Sequence, residues 1–593
     1  MNMVLHFFVP VLLLSLALFT YERTLVPIYA SVPTNQYFQH FLFLAVTLSI
    51  YIRPKFSSTA RKWFFSGTIL ALAPKATYYF AVWSARQRHP VWGPVFTHAF
   101  ALIPLVYAYG IWVPATKMLG VWGTLVGGFA MSKRLWPAIP QLRTISDNQI
   151  YLTQALAFFA IGVLCLDISS SSPSSAKTPK KSPSNSNKAY VTKGTLLGAL
   201  VTLAFTPLTS PLRSPILDHP YPETYTHPSF PLQIHSTVES TTGLVVVGEA
   251  LKPPNADPTD LKAMHSVRYL RAAHSILGGV WMGKRVHTID GYAPVKDVHG
   301  NRLGDSIYGA FNLQEAARLI EHDGTSGNKG NNQKALVIGL GTGISATALH
   351  RHGYNLTVLE IDPAVYEAAR RFFGFPDPGD ENVFLEDAGA WVATRAKQHE
   401  SASKEDISLY DLVIHDCFSG GGIPQHLYEI GFWDNLKALI KPDGVAVINF
   451  AGIVDSEPSR LVLRTLDEAF SQCRAFHDLV QPGALTKEKY DTEFLNVVFF
   501  CTTGTKPFTF RTPDLTDYLG SPLRKHIFTS LEDREVDLEV LRNSTERIRT
   551  QEGRETKVLS SSYNPLGKMQ DAQATKHWTM MREVLPDIFW ETF

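Results

Sequence analysis

Three acids, Glu360, Asp387 and Asp416, each stand at or just past the end of an apolar run, and a glycine loop, Gly339-x-Gly341-x-Gly343, ends a fourth. Carboxylates at the carboxyl ends of strands can accept hydrogen bonds from ribose hydroxyls, from an adenine amino group, or from a nucleophile about to react. Glycines let backbone approach a ligand closely, and a helix that follows them turns its N-terminal N–H groups toward it. The stretch KALVIGLGTGISATALHRHGYNLTVLEID over 334–362 sets these parts in order: strand, loop, helix, strand, acid. Glu360 lies 21 residues after Gly339, the spacing of a ribose-binding acid from its loop. The last glycine comes early, as GxGxG, which fits a donor of the S-adenosylmethionine type better than a pyrophosphate dinucleotide. The plain alternative is a tight turn in an α/β sheet with no ligand.

The elements that must carry these residues follow by periodicity. Strands are predicted over 335–338, 356–359, 382–385, 409–416, 444–450 and 496–502, with helices between them, among them 425–439 and 457–475. That alternation is a doubly wound α/β sheet, whose ligands sit at the carboxyl ends of the strands. There Glu360 would hold the ribose, with Asp362 beside it, Asp387 and Ala388 would meet the adenine, and Asp416 would face the reacting centre. Each acid has a simpler reading as a loop carboxylate or helix N-cap, Asp387 most of all because a helix follows it. His415 and His426 read as structural. Gly420-Gly421-Gly422 is a lid or a turn, and Lys441-Pro442-Asp443-Gly444 a turn into the next strand. Upstream, 231–249 and 265–289 read as strands, the latter turning at Gly278-Gly279, and 305–321 as a helix. Downstream, 531–550 reads as a charged helix. Residues 574–593, with Trp578, Met581, Leu585 and Trp590, fold back on the catalytic domain or, alternatively, meet a second copy in a homodimer.

The first part of the chain has another character. Residues 1–167 are rich in Leu, Phe, Ala, Trp and Tyr, with apolar segments near 3–20, 37–52, 63–83, 91–113, 118–131 and 149–167, and another near 194–207. This predicts five to seven membrane spans, the Gly-rich 118–131 piece being half of a broken helix. Lys75 follows Pro74 inside the third segment and is either functional or a snorkelling lysine at a Pro break. Residues 168–193 are a Ser/Pro/Lys-rich linker. Basic clusters at 53–62, 133–143 and 177–193 do not give one orientation. A net charge of +2 offers no electrostatic case for nucleic acid. Cys165, Cys417, Cys473 and Cys501 show neither metal spacing nor a disulfide framework, which suits a reducing compartment for the soluble part.

The order LVIGLGTG, LEID, EDAGAW, YDLVIHD-CFSGGGIP and KPDG resembles the spermidine synthase-like (polyamine aminopropyltransferase) family over roughly residues 230–505. GGVW at 278–281 and DSIYGAFNLQEAARLI at 305–320 are similar to its membrane-bound fungal members. The resemblance implies a multi-span α-helical membrane region followed by a Rossmann-like, methyltransferase-type α/β sheet with a small N-terminal β domain. It divides the chain into a membrane region (1–167), a linker with a possible last span (168–208), a β-rich domain plus helix (209–325), the nucleotide-binding domain (326–505) and a helical extension (506–593). It assigns the catalytic acid to Asp416, donor contacts to Gly339, Gly341, Thr342, Gly343, Glu360, Asp362, Asp387 and Ala388, and acceptor contacts to Tyr308, Gln314 and Ser419. No metal is implied. Two positions depart from the family pattern, with Thr342 and Ser419 where aspartates would meet ammonium groups. The implied reaction alkylates a nucleophile, an amine among the options, from S-adenosylmethionine or its decarboxylated form, with methyl transfer slightly favoured over aminopropyl transfer to a polyamine. A degenerate nucleotide-binding scaffold is the non-enzymatic alternative. The expected setting is a bilayer, with the catalytic domain in the cytosol where the donor is made.

Overall fold

Most of the described residues between 2 and 164 are helical. In a computed structural model of the chain, residues 2–113, 117–166, 183–204, 207–221, 223–253, 265–322, 333–401, 409–418, 422–552 and 557–593 are described. They form two units, residues 1–220 with 586–593, and residues 221–585.

The first unit holds α1 (Asn2–Tyr29), α2 (Ser31–Gln36), α3 (Phe38–Tyr51), α4 (Thr59–Ala85), α5 (Trp92–Thr97), α6 (Ile103–Gly110), α7 (Lys117–Arg134), α8 (Asp147–Leu164) and α9 (Pro183–Ala204). Its interior is tied by polar bonds as well as apolar packing. The Arg23 guanidinium donates to Asp147 Oδ1 (2.5 Å) and to the Ile145 carbonyl (2.7 Å), while Thr24 Oγ1 donates to Asp147 Oδ2 (2.8 Å). Arg86 Nε donates to Glu591 Oε1 (2.7 Å), fastening the short Asp587–Glu591 helix to α4. Several expectations change here. By length and hydropathy one described helix, Phe8–Tyr29, is apolar enough to cross a membrane, where five to seven were expected. The other runs fold shorter or carry polar groups: α3 has 14 residues, and the 91–113 run is split by a π-helical turn at His98–Leu102. The glycines of 118–131 do not break α7, Pro74 does not break α4, and α9 starts at Pro183, inside the expected linker. The rest of that linker lies outside the described residues.

The second unit opens with a five-stranded antiparallel sheet in chain order: β1 (Tyr225–Thr226), β2 (Leu232–Ser240), β3 (Gly243–Ala250), β4 (Val267–Ala272) and β5 (Ser275–Trp281). The turn expected at Gly278-Gly279 is at Ala273-His274 instead, and both glycines lie inside β5. They are there because backbone and a neighbouring loop crowd that strand: a Cβ on Gly279 would stand 2.6 Å from the Arg268 carbonyl oxygen. A small hairpin, β6 (Val295–Lys296) and β7 (Arg302–Leu303), leads to α10 (Gly309–Gln314) and β8 (Ile320–His322).

The large sheet is built from β9 (Lys334–Ile338), β10 (Asn355–Leu359), β11 (Val383–Phe384), β12 (Tyr410–His415), β13 (Ile440–Ile453), β14 (Gln472–His477) and β15 (Phe494–Thr502), while a short β16 (Phe508–Phe510) pairs with β8. With β17 (Glu535–Val536) at one edge, the order is β11-β10-β9-β12-β13-β15-β14-β17. The first five of these are parallel, and β15 and β14 run antiparallel to their neighbours. Along β9, Ala335 and Val337 face one helical layer and Leu336 and Ile338 the other, all buried, as a central strand covered on both faces requires. The connections are α11 (Ile344–Arg351), α12 (Pro363–Phe373), α13 (Ala388–Ser401), α14 (Ile430–Lys437) and α15 (Glu457–Ala469), and α16 (Pro522–Thr529), α17 (Leu538–Glu552) and α18 (Leu566–Val584) follow. The 457–475 run is therefore helix only to Ala469, and Gln472 onward is strand. Lys441–Gly444 is an excursion inside β13, between the pairs Tyr410↔Ile440 and Leu412↔Val445.

Cys473 and Cys501 are paired residues on β14 and β15, and their sulfurs form a disulfide. No spacing rule exposes a cross-strand pair separated by 28 residues. The cysteine content thus gives no argument for a reducing compartment.

Candidate active site

The chain order of the strands reverses at β9: β10 and β11 lie on one side of it, β12 and β13 on the other. The crevice beyond such a reversal is where open α/β sheets bind ligands. A cavity of about 740 Å³ opens there, within the second unit. Gly339, Gly341, Glu360, Asp387, Ala388, Asp416 and Tyr308 all line it. Four strand ends and the N-cap residue of α10 thus converge on one space.

The glycine loop has the conformation its residues permit. Gly339, Gly341 and Gly343 have φ of 84°, 54° and 73°, a region that costs other residues energy. A Cβ on Gly341 would stand 3.0 Å from the Leu277 carbonyl oxygen. Gly343 is the N-cap of α11.

Glu360 follows β10 and is 7% exposed. Its Oε2 accepts from Leu340 N (2.9 Å) and its Oε1 from Asp362 N (2.9 Å), so the acid also shapes the loop beside it. Burial pushes its carboxyl up to about 7, against the lowering effect of these N–H groups. Asp387 is more open. Burial raises its pKa, but the bond from Ala390 N (2.9 Å) and His426 Nε2 at 2.9 Å from Oδ2 outweigh that, leaving it below the usual range. It is both a helix cap and a cavity wall.

Asp416 sits just past β12, and its two oxygens are held by different elements. Gln314 Nε2 of α10 donates to Oδ2 (2.7 Å), and Asn449 Nδ2 of β13 donates to Oδ1 (2.9 Å). Burial raises its pKa over the lowering from both amides. A carboxylate so held is a fixed acceptor with raised proton affinity, the property a base needs. Gln314 is 1% exposed, is absent from the cavity wall, and accepts from Ser345 Oγ (2.5 Å). It positions Asp416, which corrects its expected place against an acceptor.

Two donor-side expectations also change. Thr342 is buried and does not line the cavity; it packs against β5, where a Cβ on Gly278 would come 2.5 Å from its Oγ1. Asp362 is fully buried and caps α12. Its Oδ1 accepts from Ala364 N (2.8 Å) and Ser240 Oγ (2.5 Å), and its Oδ2 from Thr242 N (2.8 Å) and Thr242 Oγ1 (2.6 Å). Sequence proximity to Glu360 suggested a ligand contact, but helix capping and the β2–β3 turn consume every lone pair. Asp362→Ala is accordingly expected to cost about 3 kcal/mol of stability, read as a lowered unfolding midpoint, since it orphans buried donors on two elements. Its donor affinity, measured below that midpoint, should change far less than that of a Glu360 variant.

Ser419, Gly420 and Gly421 lie outside the described residues; Gly422 lines the cavity. His415 is buried among Tyr428, Phe432 and Trp433, a structural place. The sequence reading missed Asn449, Asp478, Asn496 and His577, which also line the cavity. A lone polar residue inside the apolar strand GVAVINF was the available signal for Asn449; His577, on the distant α18, had none. Among the described residues no cluster of metal-ligating side chains occurs.

This geometry has relatives. Residues 315–481 match the spermine/spermidine synthase domain. The chain is 34% identical over 356 residues to an N-terminal histidine N-methyltransferase of Emericella nidulans, covering 60% of this chain and 57% of that protein. It is 30% identical over 119 residues to a polyamine aminopropyltransferase of Vibrio vulnificus (20% and 37%). With an eEF1A lysine and N-terminal methyltransferase of Homo sapiens it shares 29% over 128 residues (20% and 18%). It thus spans little more than half the length of the first and less of the others. With the strand order, the glycine loop and the acids at the sheet edge already in place, the match gives the conclusion: residues 315–481 carry a spermine/spermidine synthase domain, similar in sequence to both methyltransferases and aminopropyltransferases.

Proposed function

We propose that this protein is a membrane-attached transferase that moves a methyl group from S-adenosylmethionine to a nitrogen, with the amino-terminal residue of a polypeptide as acceptor class. The observation that carries methyl over aminopropyl is the similarity to an N-terminal histidine N-methyltransferase, 34% identical over 356 residues. The glycine loop agrees with it, having Thr342 and no carboxylate between its last two glycines. The names of two relatives support a polypeptide N-terminus as the acceptor.

The residues present suit an adenosyl donor. Glu360 offers its carboxylate to ribose hydroxyls, Gly339 and Gly341 let backbone come close, and Asp387 and Ala388 wall the adenine end. When bound, the donor supplies a sulfonium-activated methyl group, whose carbon forms a bond to the acceptor nitrogen as its bond to sulfur breaks and the electron pair stays on sulfur. Asp416 accepts a hydrogen bond from the acceptor nitrogen, orients its lone pair, and takes its proton when one must leave. Gln314 and Asn449 keep Asp416 in place for this. Positioning supplies most of the acceleration in such a displacement.

Membrane attachment rests on the first unit. Phe8–Tyr29 has the length and hydropathy of a span, and Phe43, Leu72, Trp83, Phe100, Trp122 and Val126 expose large apolar groups on other helices. Exposed apolar groups on several helices beside one span-length helix support attachment to a bilayer.

The test is a product assay with full-length protein in detergent. It is incubated with isotopically labelled S-adenosylmethionine and a panel of peptides differing in their first residue, beside decarboxylated donor with putrescine. Methyl incorporation at the first residue is the expected result. Turnover only with decarboxylated donor and putrescine would replace this reading with aminopropyl transfer.

A further inference from the structure

One end of the first unit gathers positive charge that its own side chains do not balance. No Asp or Glu occurs between Glu22 and Asp147. Within that stretch α3 closes at Tyr51 and α4 opens at Thr59, and Arg53, Lys55, Arg61 and Lys62 cluster around the turn between them. Arg61 and Lys62 stand in the first turn of α4, where the helix already carries positive partial charge and a cation is unfavourable. Arg53 is near enough for its charge to act against that of Lys62. Lys193 of α9 joins the same end. Its Nζ donates to the carbonyl of Leu164, the last residue of α8 (2.7 Å), and the last turns of α8 pack on the opening of α4, with Phe158 and Trp63 5.1 Å apart between ring centres.

Among the described residues none of these cations forms an ion pair. The Arg53 guanidinium is fixed by carbonyl oxygens, Nε donating to Ile50 (3.2 Å) and Nη2 to Val113. Lys62 Nζ meets the face of the Trp112 ring, 4.0 Å from its centre. Trp112 is itself fixed, stacked on Trp63 (3.7 Å between ring centres) and donating from Nε1 to Ser66 Oγ (3.0 Å). Two cations are thus held at set positions with no anion between them, an arrangement that mutual repulsion disfavours until an anion from outside completes it. The surroundings tell which kind of anion fits. Tyr51, Ile52 and Phe65 are large apolar groups exposed beside the cluster, and Phe65 meets the ring of Tyr107. Indole and phenol rings next to lysine and arginine suit the headgroup level of a bilayer, and a soluble anion has no use for the apolar groups.

Resting on the bilayer attachment read above, we propose that this end of the helical unit binds the headgroup of an acidic phospholipid. The headgroup phosphate meets Arg53 and Lys62, Lys55 and Arg61 close around it, and the acyl chains lie along Ile52 and Phe65. The site selects the lipid around the protein and takes no part in group transfer.

The experiment reconstitutes full-length protein in phosphatidylcholine vesicles carrying a trace of spin-labelled phosphatidylserine or spin-labelled phosphatidylcholine, and reads the fraction of label immobilised by the protein. The wild type is expected to hold the acidic lipid about fivefold or more over the neutral one, with the preference falling as salt is raised. Replacing the cluster together (Arg53→Gln, Lys55→Gln, Arg61→Gln and Lys62→Gln) should bring the preference to within about twofold of none. Arg134→Gln with Arg143→Gln, basic residues away from this turn, should leave it unchanged. Inorganic phosphate added at millimolar level should not displace the label. Equal retention of both lipids by the wild type overturns the proposal whether or not the variants fold, and so does a preference that persists in the folded fourfold variant. Equal loss in the Arg134 and Arg143 variant reduces the effect to overall charge, and displacement by inorganic phosphate makes the site one for a free anion; either result overturns the lipid assignment. In all these cases attachment to the bilayer stands. If the protein immobilises neither lipid, the attachment reading fails and the assignment falls with it.

Discussion

Asp416→Asn is expected to lower the rate of group transfer by about 10²–10⁴-fold while donor binding stays within about threefold of wild type. The substitution keeps shape but removes charge and basicity from the only group that Gln314 and Asn449 both address. Their amide N–H groups would face an amide whose nitrogen cannot accept, so one must turn over, and Gln314 can do so only by giving up the bond from Ser345 Oγ. The acceptor nitrogen then loses the oxygen that orients it. Because burial raises the proton affinity of Asp416, the wild-type rate should carry a titration above the ordinary carboxylate range that the variant lacks. Single-turnover rates across pH, with donor affinity from calorimetry, decide this. A variant within threefold of the wild-type rate would remove Asp416 from the chemistry and favour a scaffold.

Glu360→Gln is expected to weaken donor binding by about ten- to a hundredfold and to change how stability varies with pH. A ribose held by an ionised carboxylate loses charge-assisted hydrogen bonds worth about 1.5–3 kcal/mol when the acid becomes an amide. The pH signature follows from a folded carboxyl near 7, above its ordinary 4.5. A raised pKa means that the folded, donor-free protein binds the extra proton. Its stabilising contribution is complete below about 4.5 and is lost as pH rises through 7, a change of about 3 kcal/mol at 1.4 kcal/mol per unit. Buried histidines push the other way: His415 near 3 and His577 near 4 favour the fold as pH rises toward their ordinary 6.5. The difference between wild type and variant isolates Glu360, because the histidines are common to both. Unfolding midpoints at pH 5 and 8 should therefore diverge, the wild type losing ground to Glu360→Gln at the higher pH. Donor affinity should move oppositely, rising in the wild type from pH 6 to 8 and staying flat in the variant. Equal donor affinity in both proteins at pH 8 would sink the ribose assignment.

These two carboxylates were legible in the sequence because the signal that finds them is local. An apolar run of strand length, a glycine or an acid at its end and a helix after it are read within thirty or so residues. The same local reading goes wrong where distant parts of the chain decide. Asp362 and Glu360 look alike on paper, but the β2–β3 turn, more than a hundred residues earlier, claims Asp362. Gly278-Gly279 looks like a turn, while Thr342 and the Arg268 carbonyl are what require glycine there. Cys473 and Cys501 become partners only through the antiparallel register of β14 and β15. Asp478 and Asn496 reach the cavity in the same way, through the pairing of β14 with β15. In the first unit, apolar composition foretold helices but not their number as spans, because tertiary packing and buried polar groups divide the runs.

The cavity wall has one contributor far along the chain. Strand ends from 339 to 416 shape the donor side, but His577, Met580, Met581 and Val584 come from α18. A ribosome finishes the acids at the sheet edge well over a hundred residues before it makes that helix. Until then a nascent chain presents an open apolar trough lined by Phe418 and Phe494, a patch that chaperones hold and other chains stick to. The order of synthesis thus delays completion of the cavity: the glycine loop can form early, but the wall supplied by His577, Met580, Met581 and Val584 exists only once α18 is made, so a chain ended short of residue 566 lacks that wall.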